Sequence, residues 1–111
     1  MIIAQEIFAL NVAKLIMFIF ENGYACTLGE AYRTKEQAEI YAKQGKGINN
    51  SQHCKRLAID LNLFTHDGKY LNNSEDYELI GAYWENLHDA NRWGGNFQRA
   101  DGSHFEMKEE S

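Results

Sequence analysis

The sequence predicts a small α+β domain, a short antiparallel sheet flanked by helices with one metal site in a cleft on the sheet, and three patterns lead to it. Residues 57–64 alternate strictly, with Leu57, Ile59, Leu61 and Leu63 on one side and Ala58, Asp60 and Asn62 on the other, which is the period of a half-buried strand. His104-Phe105-Glu106-Met107 alternates again near the end of the chain. Before and between these strands lie runs with helical periodicity and recognisable caps, so helices have to pack on a sheet of few strands.

The elements follow in chain order. Apolar residues at Ile3, Ile7, Leu10 and Met17, with a second row at Phe8, Val12, Leu15 and Ile19, predict a helix packed on more than one side and ending near Asn22-Gly23. A short extended piece is expected over 24–28. Thr34 with Gln37 three residues later forms a capping box and opens a helix to about Gln44, where Gly45 and Gly47 stop it. After the 57–64 strand, His66-Asp67-Gly68-Lys69 supplies an Asp-Gly turn into a partner strand at Tyr70-Leu71. Asn73 or Ser74 caps a third helix whose apolar face is Tyr77, Ile80, Trp84 and Leu87. The glycine turn at Trp93-Gly94-Gly95-Asn96 leads to the last strand, which is expected to close the sheet. Proline is absent, so Gly, Asn and Asp have to make the turns.

A chain of 111 residues is accounted for by one compact domain, 1–111. Its net charge of -5 and scattered Lys and Arg exclude the basic stripe that nucleic-acid binding needs. Cys26 and Cys54 lack C-x-x-C spacing and read as free thiols in a reducing compartment. The apolar stretch 2–20 is interrupted by Glu6, Asn11 and Lys14 and follows no basic segment. It reads as a buried helix, with no evident signal peptide and no stable membrane association expected, a signal-anchor that is later released being the alternative.

Asp60 demands a partner, because a carboxylate inside an apolar strand is costly to bury unless it is paired, hydrogen-bonded or metal-bound. A salt bridge to Arg33 or Arg56 is one solution and a metal ion is another. His53, seven residues earlier, and His104 on a second strand are placed to converge on it. Two imidazoles and one carboxylate leave a fourth tetrahedral position open to water, the donor set of catalytic zinc. Asp101, three residues before His104, is placed to take that water's proton. Glu106, on the same strand face as His104, is the alternative base, or else an exposed carboxylate or one that supports a ligand from behind.

Ser51-Gln52-His53, Leu57-Ala58-Ile59-Asp60-Leu61, Trp93-Gly94-Gly95-Asn96-Phe97 and Asp101-Gly102-Ser103-His104-Phe105-Glu106 together resemble the motifs of the M15 metallopeptidases. That group includes D-Ala-D-Ala dipeptidases and carboxypeptidases, and the L-alanyl-D-glutamate endopeptidases of phage endolysins. Glu30-Ala31-Tyr32-Arg33-Thr34 is similar to the arginine segment of the family, and the resemblance extends over 24–107. It implies Zn2+ on His53, Asp60 and His104, Asp101 as the acidic base, and Arg33 pointing into the cleft to bind the scissile carbonyl or stabilise the oxyanion. Ser51 orients His53, touches substrate or only forms a turn, and Trp93 is a cleft-wall contact to substrate or a core residue. In one place the chain departs from the pattern. Where many members carry a glycine between the first histidine and the strand alanine, it has Lys55-Arg56-Leu57, which puts the loop shape at issue but not the ligands.

The resemblance implies a peptidoglycan hydrolase, foremost an L-Ala–D-Glu endopeptidase of phage-lysis type that acts on the stem peptide. A D,D-carboxypeptidase or D-Ala-D-Ala dipeptidase is the alternative within the enzyme class. A non-catalytic, zinc-stabilised wall-binding module is the alternative outside it. A monomer is expected, made in the cytoplasm and acting on the cell wall in the periplasm after release.

Overall fold

A computed structural model describes residues 2–46 and 51–109, and the expected stop at Gly47 lies outside the described residues. The order of elements is α1 (Ile2–Glu21), β1 (Ala25–Leu28), α2 (Lys35–Lys43), β2 (Ala58–Phe64), β3 (Tyr70–Leu71), α3 (Glu78–Leu87), β4 (Asn91–Trp93) and β5 (His104–Met107). Single 3-10 turns sit at Gln52–Lys55, Ser74–Tyr77 and Gly94–Asn96.

All strand pairings are antiparallel, and the sheet runs β1-β2-β5-β4, with β3 beside the far end of β2. The last strand was expected to close the sheet. It lies inside it instead, because the three-residue strand β4, too short to show alternation, covers its outer edge. Strand β2 is the spine: β5 pairs with Ala58, Ile59 and Asp60, and β1 pairs with Leu61 through Phe64.

The two faces of the spine differ as the alternation requires. Leu57, Ile59, Leu61 and Leu63 join Phe105, Met107, Tyr77, Ile80 and Trp84 in the core. Helix α3 is fastened to the sheet by polar atoms as well. The Trp84 indole donates to the carbonyls of Arg92 (3.1 Å) and Glu106 (3.0 Å). The Tyr77 hydroxyl donates to Leu71 O at 2.8 Å and accepts from Leu63 N at 3.0 Å. Ala58, Asp60, His104 and Glu106 face the other way.

Helix α1 ends as its sequence foretold, with Gly23 at φ 84° and Tyr24 N donating to Ile19 O at 3.1 Å. Only one of its apolar rows is inside. Phe8, Leu15 and Ile19 are buried with Asn11, and Phe8 meets Trp84 edge-on at 5.6 Å. Ile3, Leu10 and Met17 remain 71%, 57% and 60% exposed, which corrects the expectation of packing on more than one side. α1 packs on α3 and β1, which lie on one side of it, so only the face turned toward them is covered. Residues Ile3–Glu21 are also long and apolar enough to cross a membrane. The same length and position suit a signal sequence, which removes the ground for expecting none.

Candidate metal centre and catalytic cleft

The centre is assembled by strand register. Leu61 N donates to Ser103 O and Met107 N to Leu57 O, both at 2.9 Å, so the Asp60–His104 pair falls at a position without mutual backbone bonds, where facing side chains come closest. On its other edge Asp60 is fixed by Gly29 N to Asp60 O (2.7 Å) and Asp60 N to Glu30 O (2.9 Å). His53 arrives on the 3-10 turn, which Ser51 caps by accepting a hydrogen bond from His53 N at 3.1 Å. The Ser51 hydroxyl thus caps the turn that carries His53, and the residue also borders the cavity.

His53 Nε2 lies 3.4 Å and His104 Nδ1 3.3 Å from the same oxygen, Asp60 Oδ1. Each of the three residues offers a ligand atom, and all lie within 4.8 Å of one another, so the group could hold a metal ion. The outer nitrogens test the fit. His53 Nδ1 is 3.3 Å from Ala31 O, and His104 Nε2 is 2.7 Å from Glu106 Oε1. With the protons on those outer atoms, both inner nitrogens turn a lone pair toward Asp60, the support that metal-binding imidazoles receive from a carbonyl or carboxylate. Asp60 therefore pairs with neither Arg33 nor Arg56. The former binds Glu30 and the latter stacks on the Tyr32 ring at 4.1 Å.

Burial works to raise the Asp60 carboxyl, but hydrogen bonds and charge from His104 and His53 outweigh it and hold it at about 2. Burial works to lower His104, and the bonds to Asp60 and Glu106 overcome it, lifting the imidazole to about 9. In metal-free protein the two shifts have opposite consequences. The depressed Asp60 contributes stability above its ordinary 3.8 that is lost as pH falls toward 2. The raised His104 contributes stability below 6.5 that is lost as pH rises through 9. Chelated protein should thus melt at falling temperature as pH climbs from 6.5 to 9, and His104→Gln should lack that fall. An equal fall in both proteins would count against the ion pair.

The cluster opens into a cavity of about 520 Å³ whose wall includes Arg33, Ser51, Phe97, Asp101 and Glu106. Arg33 is held by two contacts to Glu30 Oε1, one from Nε at 2.7 Å and a second from Nη2. The Tyr41 ring lies 5.0 Å from its guanidinium carbon. Asp101 stands exposed on the rim, 3.3 Å from Ser103 Oγ. Its loop is closed by Asp101 N to Gly94 O at 2.9 Å, and a Cβ on Gly94 would sit 2.1 Å from Asp101 O, so only glycine allows that approach.

Trp93, expected at the cleft wall or in the core, is in the core. It is buried between Gly81 and Gly95, and its indole donates to Gly102 O at 2.7 Å. It does not line the cavity, and it holds the Asp101 loop from below. Arg56, at the departure from the family pattern, takes φ 58° and is, among the described residues, the non-glycine residue with positive φ. The turn keeps the shape a glycine would give it, at a cost of about 1–2 kcal/mol that the Tyr32 stack offsets by about 0.5–1 kcal/mol. Two residues carry more than their sequence signal suggested. Glu30 clamps Arg33 from three positions upstream, and Glu106, expected as an alternative base or else as an exposed or ligand-supporting carboxylate, lies 2.7 Å from His104 Nε2; the period-2 spacing from His104 was the clue.

Comparison with solved structures gives the same fold at low identity. The chain matches the Serratia marcescens L-Ala D-Glu endopeptidase ChiX with a TM-score of 0.70 and 17% identity, covering 86% of this chain and 77% of that one. It matches the LdcB LD-carboxypeptidase with a TM-score of 0.65 and 14% identity, covering 92% of this chain and 64% of that one. No curated protein matches the sequence. Residues 44–107 match the peptidase M15_4 family, described as D-alanyl-D-alanine carboxypeptidase. That match spans more than half of the chain and contains His53, Asp60, Asp101 and His104 in order, so the chain belongs to this M15 peptidase family and is a hydrolytic enzyme.

Proposed function

We propose that this chain, as one catalytic unit over 1–111, is a zinc peptidase that cuts the L-Ala–D-Glu bond of peptidoglycan stem peptides. The observation that carries the reading is the convergence of His53 Nε2 and His104 Nδ1 on Asp60 Oδ1 at the base of an open cavity. Two nitrogens and one carboxylate oxygen suit zinc and leave a coordination position free. The choice of bond leans on the likeness to ChiX, an L-Ala D-Glu endopeptidase. The family description and LdcB keep carboxypeptidase action as the second reading.

Bound at these residues, zinc supplies Lewis acidity toward the scissile carbonyl. The chain's own groups do the rest. Asp101 accepts the proton of the attacking water and returns it to the leaving amine. Glu106 could not serve in its place without releasing His104. Arg33, its fork oriented by Glu30, turns remaining N–H groups toward the carbonyl oxygen as negative charge develops there. Arg33→Lys should keep zinc and fold but lose about tenfold to a thousandfold in kcat/KM, because lysine retains the charge without the fork; activity near wild type would remove Arg33 from the site.

Action on the wall requires passage across the membrane, either through a separate lysis pore or by way of α1 acting as an export segment. Purified sacculi incubated with the protein, with and without a chelator, test the whole reading by mass spectrometry. New N-terminal D-Glu that disappears on chelation is expected. Released D-Ala alone would replace the endopeptidase by the carboxypeptidase, and binding without any new amino group would favour a wall-binding module.

A further inference from the structure

Two cations that line the cavity, Lys46 and Arg99, have no part in the chemistry above. Both are set there by local backbone devices. Gly45 turns out of the end of α2 at φ 72°, and Lys46 N closes the turn on Tyr41 O at 2.8 Å. Arg99 rides on the loop between Gly94 and Asp101, which is closed at 2.9 Å and propped from beneath by Trp93. Among the described residues the Lys and Arg ion pairs engage Arg33 and Lys55, not Lys46 or Arg99.

The local charge runs against that of the chain, which carries -5 overall. Glu30 neutralises Arg33, and a divalent ion would be balanced by Asp60 and Glu106. Among the lining residues that leaves two cations, Lys46 and Arg99, against the one carboxylate of Asp101, so the cleft favours an anion. An L-Ala–D-Glu substrate brings one, because a γ-linked D-Glu keeps its α-carboxylate free.

We propose that Lys46 and Arg99 form a carboxylate-binding subsite on the rim of the cleft, selecting peptides with a free acid on the residue that follows the scissile bond. The inference rests on the endopeptidase reading. The guanidinium fork receives the carboxylate and the lysine adds a point charge. Both side chains are exposed, so their replacement leaves the core untouched.

The test compares L-Ala-γ-D-Glu-L-Lys with its D-Glu α-carboxamide on zinc-loaded protein. Wild type should prefer the free acid by about ten- to a hundredfold in kcat/KM, the worth of one or two hydrogen bonds to a charged group. The preference should collapse in the Lys46→Gln/Arg99→Gln double variant and turn toward the amide in Arg99→Glu. Equal rates on both peptides in wild type, or an unchanged preference in the double variant, overturn the subsite while leaving the endopeptidase standing. If neither peptide is cut, the endopeptidase reading fails and titration calorimetry with the same two peptides decides the subsite. Tighter binding of the free acid that the double variant loses supports it, and equal affinities overturn it.

Discussion

His104→Ala is expected to strip the protein of zinc and of hydrolytic activity together. The imidazole is the hinge of the centre, with Nδ1 toward Asp60 and Nε2 on Glu106 at 2.7 Å. Its removal deletes a candidate ligand and leaves two partly buried carboxylates, Asp60 on β2 and Glu106 on β5, on one face of the sheet without the group that separated them. Asp60 and Glu106 would then repel, and the pocket would lose shape as well as a donor. Metal binding adds to folding free energy, about 2.7 kcal/mol when free metal stands at a hundred times Kd, so added zinc should raise the melting temperature of wild type and not of the variant. His53→Ala should behave alike in metal content. Elemental analysis of both proteins is the check, and a full equivalent of zinc in either sinks the ligand assignment.

Asp101→Asn is expected to separate binding from chemistry. The amide is almost isosteric, and Asp101 makes no contact to His53, Asp60 or His104 through its carboxylate, so zinc should stay bound. The backbone role also survives, since Asp101 N to Gly94 O and His104 N to Asp101 O do not involve the side chain. What is lost is an acceptor for the water's proton, typically worth about 10² to 10⁴ in rate. A fall of that size in kcat on sacculi, with unchanged zinc content and melting temperature, is the expected outcome. Should Asp101→Asn remain active while Glu106→Gln is dead and still holds its metal, the base has been assigned to the wrong carboxylate.

Much of the fold was legible because its signals are local. Alternation over 57–64 fixed both the spine strand and which side of it Asp60 occupies, and the Asn22-Gly23, Thr34 and Asp67-Gly68 signals placed two helix ends and a hairpin within a residue or two. The 3-10 turns and β4 left no such trace, since three or four residues hold less than one period of any pattern. For α1 the sequence supplied two apolar rows but not the count of surfaces available to cover them, and only one was covered.

The candidate residues of the centre, and the family to which the chain belongs, were legible in the sequence alone, because motif spacing and the expense of a carboxylate in an apolar strand are properties of the chain itself. Their surroundings were decided by the tertiary structure. The clamp of Glu30 on Arg33 and the bond of Glu106 to His104 are local in the chain, whereas which nitrogen of each histidine faces inward and the removal of Trp93 from the cleft to its foundation depend on contacts between residues up to 44 positions apart. Such contacts are set by strand register and loop closure, and neither distance nor direction across a fold is written in the spacing of residues along it.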